Sequence, residues 1–130
     1  MSIEKIIVYT NTARLKNLFE NVAYNLPLVG SELRVVVAMD GSRYWHRQGV
    51  LHREHGPAAE LADGTRRWYK NGVPHRVNGP AIERPDGFRS WWQDGVLHRL
   101  DGPAIEHHGG ARYWYVNGKK VPEPTPTDLS

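Results

Sequence analysis

Three His-Arg pairs, His52-Arg53, His75-Arg76 and His98-Arg99, recur every 23 residues, and a glutamate follows each at a fixed distance: Glu60, Glu83 and Glu106. Imidazole, guanidinium and carboxylate are the groups from which metal centres, acid–base pairs and anion sites are made. The period decides against the first two. Strands in a sheet lie about 4.8 Å apart, so equivalent histidines two or three strands apart are separated by roughly 10–14 Å. A zinc ligand sits about 2.0–2.1 Å from its ion, so one ion cannot be shared between copies. A solenoid with one strand per turn would escape this limit, but the hairpin turns described below speak against it. The local pairs His52 with His55 and His107 with His108 have no third ligand at a recognised spacing. No metal and no cofactor is expected.

Other chemistries find no better footing. There is no cysteine. None of Ser2, Ser31, Ser42, Ser90 and Ser130 sits in a Gly-x-Ser-x-Gly turn. The 13 glycines form no phosphate-binding or dinucleotide fingerprint. Catalysis needs one asymmetric constellation, and here each polar set is repeated. The chain reads as a non-enzymatic binding protein.

The elements that carry these residues follow from the same period. Trp45, Trp68, Trp91 and Trp114 are also 23 apart, as are the pairs Gly56-Pro57, Gly79-Pro80 and Gly102-Pro103. Such a period marks an array of one small supersecondary unit. Asp40-Gly41, Asp63-Gly64, Asp86-Gly87 and Gly109-Gly110 precede each Trp run, and Gln48-Gly49, Asn71-Gly72, Asp94-Gly95 and Asn117-Gly118 follow it. Asn-Gly and Asp-Gly tolerate positive φ at both positions and are strong hairpin signals. Each unit holds two or three antiparallel strands. Residues 40–118 form the array, three and a half copies long.

Residues 1–39 do not repeat. Ile3 to Tyr9 and Leu33 to Met39 read as strands. Between them Leu15, Leu18, Phe19, Val22, Ala23 and Leu26 recur at helical spacing. A strand-helix-strand cap over the open end of the array is expected; dimerisation through this segment is the functional alternative. Residues 119–130, with three prolines, read as a C-terminal tail.

Period two along the Trp strand sorts side chains onto faces. Arg43, Arg66, Arg89 and Arg112 share the constant face with Trp, where guanidinium can stack on indole and the repeated Glu can accept its hydrogen bonds. The opposite face varies: Tyr44, Arg67, Ser90 and Tyr113, then His46, Tyr69, Trp92 and Tyr115. Arg67, Tyr69, Lys70 and Trp92 combine aromatic and cationic groups, the types enriched among interface anchors. The pairs His52-Arg53, His75-Arg76 and His98-Arg99 are a second candidate contact, or else tethers donating to turn carbonyls of the next hairpin.

The runs WYKNGVPHRVNGPAIE and WWQDGVLHRLDGPAIE resemble MORN-type repeats and related YwqK-like proteins, in a finer pattern often encoded by bacteriophages. The first copy departs from it at His46 and at Glu54-His55, and the fourth lacks His-Arg and Gly-Pro-Ala. The resemblance implies a mainly β fold: an antiparallel β-hairpin repeat meander behind a small N-terminal β-α-β cap. It also implies a scaffold that binds a host protein by protein–protein contact inside a bacterial cell, as an anti-CRISPR-like inhibitor of a defence effector would.

A nucleic acid, a nucleotide signal and a structural assembly are the competing partners. Net charge is +3 and is spread evenly along the chain, without the basic stripe of a nucleic-acid tracker. The charged N-terminal segment is no signal peptide and no run reaches membrane-span length, so a cytoplasmic location with no membrane contact is expected.

Overall fold

Turn chemistry builds this molecule, and the two turn sets solve it differently. The structure is a computed structural model describing residues 4–8 and 33–125. Gln48-Gly49, Asn71-Gly72, Asp94-Gly95 and Asn117-Gly118 have φ of 49–52° at the first residue and 79–83° at the glycine, the positive pair that a type I′ hairpin requires. The turns at Asp40-Gly41, Asp63-Gly64 and Asp86-Gly87 depart from that expectation, for only their glycines are positive, with φ of 91–98°. The Gly64 N–H donates to the Leu61 carbonyl and the Leu61 N–H to the Thr65 carbonyl, closing a three-residue loop with a left-handed glycine at its end. Asp63 Oδ1 accepts the Thr65 N–H at 2.8 Å, and Asp40 and Asp86 repeat the bond to Ser42 and Phe88. These backbone N–H groups are the main reason all three carboxyls are held below the usual aspartate range.

Between the turns the strands are short. β1 (Glu4–Val8) pairs in parallel with β2 (Leu33–Val37), and β2 antiparallel with β3 (Arg43–Arg47). The first copy continues with β4 (Val50–Leu51) and β5 (Ala59–Glu60). The second holds β6 (Arg66–Arg67), β7 (Tyr69–Lys70), β8 (Val73–Pro74) and β9 (Ile82–Glu83). The third holds β10 (Arg89–Ser90), β11 (Trp92–Gln93), β12 (Val96–Leu97) and β13 (Ile105–Glu106). The chain closes with β14 (Arg112–Val116) and β15 (Lys119–Val121). A full copy therefore has a Trp run, a return strand and an Ile-Glu strand. The Trp run is interrupted at Trp68, whose N–H meets the Ala81 carbonyl of the long sheet and whose carbonyl receives the His75 N–H of the hairpin.

The long sheet runs β1-β2-β3-β5-β6-β9-β10-β13-β14-β15, with β4 also on β3, while β7-β8 and β11-β12 stand as separate hairpins. The fold is mainly β with antiparallel hairpin pairs, and the described residues contain no helix. The helix expected between β1 and β2, and with it the middle of the β-α-β cap, lies outside the described residues. Strand β15 takes the first residues of the segment read as tail and completes the last hairpin. No helix among the described residues is long and apolar enough to cross a membrane.

Residues directly opposite one another form two rows across the sheet. One reads Arg43, Glu60, Arg66, Glu83, Arg89, Glu106, Arg112; the next reads Tyr44, Ala59, Arg67, Ile82, Ser90, Ile105, Tyr113. Neighbours along a strand point to opposite faces, so the two rows lie on opposite sides. Among the described residues the buried apolar side chains are Val35, Val36, Ala38 and Trp45 near the N-terminal end, and beyond Trp45 only the alanines Ala58, Ala59, Ala81 and Ala104 and one proline, Pro103. Alanine supplies little area, so the array depends on something other than a hydrophobic core.

His46 in β3 is buried, and desolvation lowers its pKa from 6.5 to about 4. Its folded pKa lies below its unfolded one, so its contribution is complete above pH 6.5 and is lost as pH falls toward 4. That shift is worth up to about 3 kcal/mol. Urea midpoints measured from pH 7 to pH 4.5 should fall, and His46→Gln should flatten part of the slope. Parallel pH curves for the two proteins would show that burial of this imidazole does not govern the acid response.

Candidate functional site

The constant face is organised by an arginine that comes from the loop, not from the Trp strand. Arg53, Arg76 and Arg99 place Cζ 3.7–3.8 Å from the ring centroids of Trp45, Trp68 and Trp91. This corrects the expectation that the strand arginines share the indole face as stacking partners. Arg43, Arg66, Arg89 and Arg112 are exposed and form no ion pair or side-chain hydrogen bond among the described residues. Each stacked arginine donates from Nη1 to the carbonyl of its own copy's Gly-Pro proline, Pro57, Pro80 or Pro103, at 3.0–3.1 Å. The same nitrogen lies 3.4–3.6 Å from Glu60, Glu83 or Glu106. The glycine of each Gly-Pro pair completes the slot. A Cβ on Gly56, Gly79 or Gly102 would stand 2.7–3.0 Å from the guanidinium carbon. Trp, Arg, Gly, Pro and Glu of the repeat are thus one interaction seen three times.

The histidines tie one copy to the next. Nδ1 of His52, His75 and His98 accepts the N–H of Asn71, Asp94 and Asn117, each at 2.9 Å. Accepting at Nδ1 fixes the proton on Nε2. The tether was expected to donate to turn carbonyls of the next hairpin. In the structure the histidine accepts and the arginine side chain stays within its own copy. Backbone bonds flank the imidazole on both sides, Gly72 N–H to Leu51 and Arg53 N–H to Tyr69, and the pattern repeats at the two later junctions. His52 is fully buried, and Nε2 lies 2.9 Å from Glu54 Oε1. That hydrogen bond is the first cause of the lowered Glu54 pKa.

Between the loops lie two grooves related by one repeat. The larger, about 480 Å³, is bounded by Arg76, Val77, Asn78, Trp91, Gln93 and Arg99, with Leu100 on its rim. The smaller, about 360 Å³, is bounded by Arg53, Trp68, Lys70, Arg76, Val77 and Asn78. Arg76, Val77 and Asn78 line both, so the loop that carries them is a fin between two equivalent hollows. Val77 and Leu100, 69% and 79% exposed, are the two most exposed large apolar side chains among the described residues.

Of the residues singled out from the sequence, Lys70, Arg53, Arg76, Arg99, His75 and His98 line these grooves. His52 does not, being sealed in the first junction. Arg67 is on the other face of the sheet. Ser90 occupies its place in the third copy, and Trp92 lies on that face too, its Nε1 donating to Ser90 Oγ at 2.8 Å. Tyr69 occupies the Trp92 position one copy earlier. Sequence reasoning missed Val77, Asn78, Gln93 and Leu100. A recurring solvent-facing apolar residue after His-Arg, Val77 and then Leu100, was the available signal. Among the described residues no group of three or more His, Cys, Asp or Glu is placed to hold a metal ion.

Comparison with known proteins supplies no relative: no family model, curated protein or solved structure matches the chain.

Gly102 tests the slot without backbone strain, because its φ lies outside the left-handed region while its added Cβ would meet Arg99 Cζ at 2.7 Å. Gly102→Ala should displace Arg99 from Trp91 and cost about 1 kcal/mol, the worth of a partly desolvated cation–π pair. The cost should largely vanish in an Arg99→Ala background. Equal costs in both backgrounds, read from denaturant midpoints, would show that the glycine does not serve the arginine.

Proposed function

We propose that this chain is a non-catalytic scaffold that binds a protein partner along the groove-bearing face of its array. One observation carries the reading: two equivalent hollows, one repeat apart, share a fin whose exposed Val77 and Asn78 side chains the fold does not consume. The groups able to do acid–base chemistry are engaged structurally. Each repeated imidazole accepts a backbone N–H, and each repeated carboxylate faces a stacked guanidinium. Aromatic and arginine side chains around an exposed apolar rim are the composition of interface anchors. The likeness of the repeat to phage-encoded sequences, together with the MORN-like hairpin pattern, supports the narrower role of an anti-CRISPR-like inhibitor of a host defence effector.

A second reading has its own observation. Arg43, Arg66, Arg89 and Arg112 lie in one row on every second strand, at a pitch of about 9.6 Å. Folding thus collects arginines that the sequence spaces evenly, and such a row would suit a phosphate backbone. Glutamates between them weaken it. Four phosphate contacts to a single strand would give a log–log salt slope of about −3.

Capture from a bacterial lysate followed by mass spectrometry tests the main reading. The wild-type protein should retain a specific protein at moderate salt, and the double variant Val77→Glu/Leu100→Glu should lose it while melting normally. Retention unaffected by that variant but lost with Arg67→Ala/Trp92→Ala would move the site to the opposite face. Oligonucleotide binding with a slope near −3, and no protein captured, would replace the reading by the second one.

A further inference from the structure

We infer that the grooves are spaced to take a proline-rich segment in the polyproline II conformation; this names the partner class for the binding-scaffold reading and rests on it. The spacing comes from the sheet. β6, β9 and β10 are successive neighbours, so one copy advances by two inter-strand steps, about 9.6 Å. A polyproline II helix has three residues per turn and rises about 3.1 Å per residue, so residues i and i+3 face the same way about 9.3 Å apart. A β-strand cannot match this pitch, since its residues i and i+3 face opposite ways. An α-helix meets it only with i and i+7, about 10.5 Å apart, and is about 10–12 Å thick, wide for two hollows divided by a fin.

The chemistry of the lining agrees with the spacing. Trp68 and Trp91 give each hollow an aromatic wall, the surface on which proline rings pack. A polyproline II chain leaves its carbonyls unpaired and asks for donors. Asn78, Gln93 and Lys70 supply them, and so do the guanidiniums. Arg53 and Arg76 use Nη1 for their recorded side-chain bonds, one nitrogen of a group with five N–H donors. The smaller groove sets Arg53, Lys70 and Arg76 against Glu54, and the larger sets Arg76 and Arg99 against Asp101. Each stacked guanidinium also faces its own repeat glutamate, Glu60, Glu83 or Glu106, so neither groove is net cationic and the pitch and lining, not charge, define the occupant. Val77, on the fin, would pack under the residues that cross between hollows.

Fluorescence polarisation with a labelled peptide of Pro-Gln-Ala triplets tests this on the full chain. A peptide of the same composition with its prolines clustered at one end can fill only one hollow, so the regular peptide should bind at least about tenfold more tightly. Leu100→Glu and Val77→Glu, both at exposed positions, should each weaken the regular peptide by about tenfold or more. Arg67→Glu on the opposite face should leave it unchanged. Equal affinity for the two peptides, or loss with Arg67→Glu alone, would overturn the inference. If neither peptide binds but a lysate protein is still captured through Val77 and Leu100, the inference fails and the scaffold reading stands. If that capture is absent as well, both fail.

Discussion

A guanidinium held flat against an indole is the constraint on which the rest of this molecule depends. Each copy buries almost no aliphatic area, and its fully covered apolar residue is a single alanine, Ala81 in the second copy and Ala104 in the third. The Arg76 side chain instead covers Trp68, binds the Pro80 carbonyl and faces Glu83. Four segments distant in the repeat are thereby joined through one side chain. Desolvation by the indole strengthens the pairing with the carboxylate, and the planar fork lets one group stack and donate at the same time. A lysine ammonium has no flat face with which to stack while it donates, and arginine holds this position in each of the three full copies.

The histidine junction extends this order from one copy to the array. A type I′ turn would leave its first N–H pointing at solvent, and the preceding imidazole accepts it. Two backbone bonds beside it complete a short seam between hairpins. The loop between Arg76 and Gly79 has a hollow on either side of it. The loop's outward positions, Glu54, Val77 and Leu100 in successive copies, are the ones left free to differ.

Much of this fold was legible in the residues. Asn71-Gly72 and its equivalents announced the hairpins, and the recurring Trp runs announced the strands beside them. Period two placed Ser90 and Trp92 on one face, and their mutual hydrogen bond agrees. What could not be read was which arginine meets the tryptophan. Alternation along a strand points to Arg66, but the stacking partner, Arg76, returns through the hairpin and loop, where no period applies. The glycine three positions after Arg76 was the hidden sign, since only a residue without Cβ admits the guanidinium. The turns at Asp40-Gly41, Asp63-Gly64 and Asp86-Gly87 were misjudged for a similar reason: Asp63 uses its carboxylate to satisfy the Thr65 N–H and needs no left-handed φ of its own. The grooves were invisible because they belong to pairs of copies and to none singly.

The coupling energy between Arg76 and Trp68 tests the central claim most directly. A double-mutant cycle with Arg76→Met and Trp68→Leu, followed by denaturant unfolding, isolates the contact from the burial each side chain contributes alone. The account predicts a favourable coupling of about 1 kcal/mol or more, with the same value within error for Arg99 and Trp91. Additive losses, with no coupling at either site, would mean that the stacked arginines merely cover the tryptophans and that the array is held together by something else.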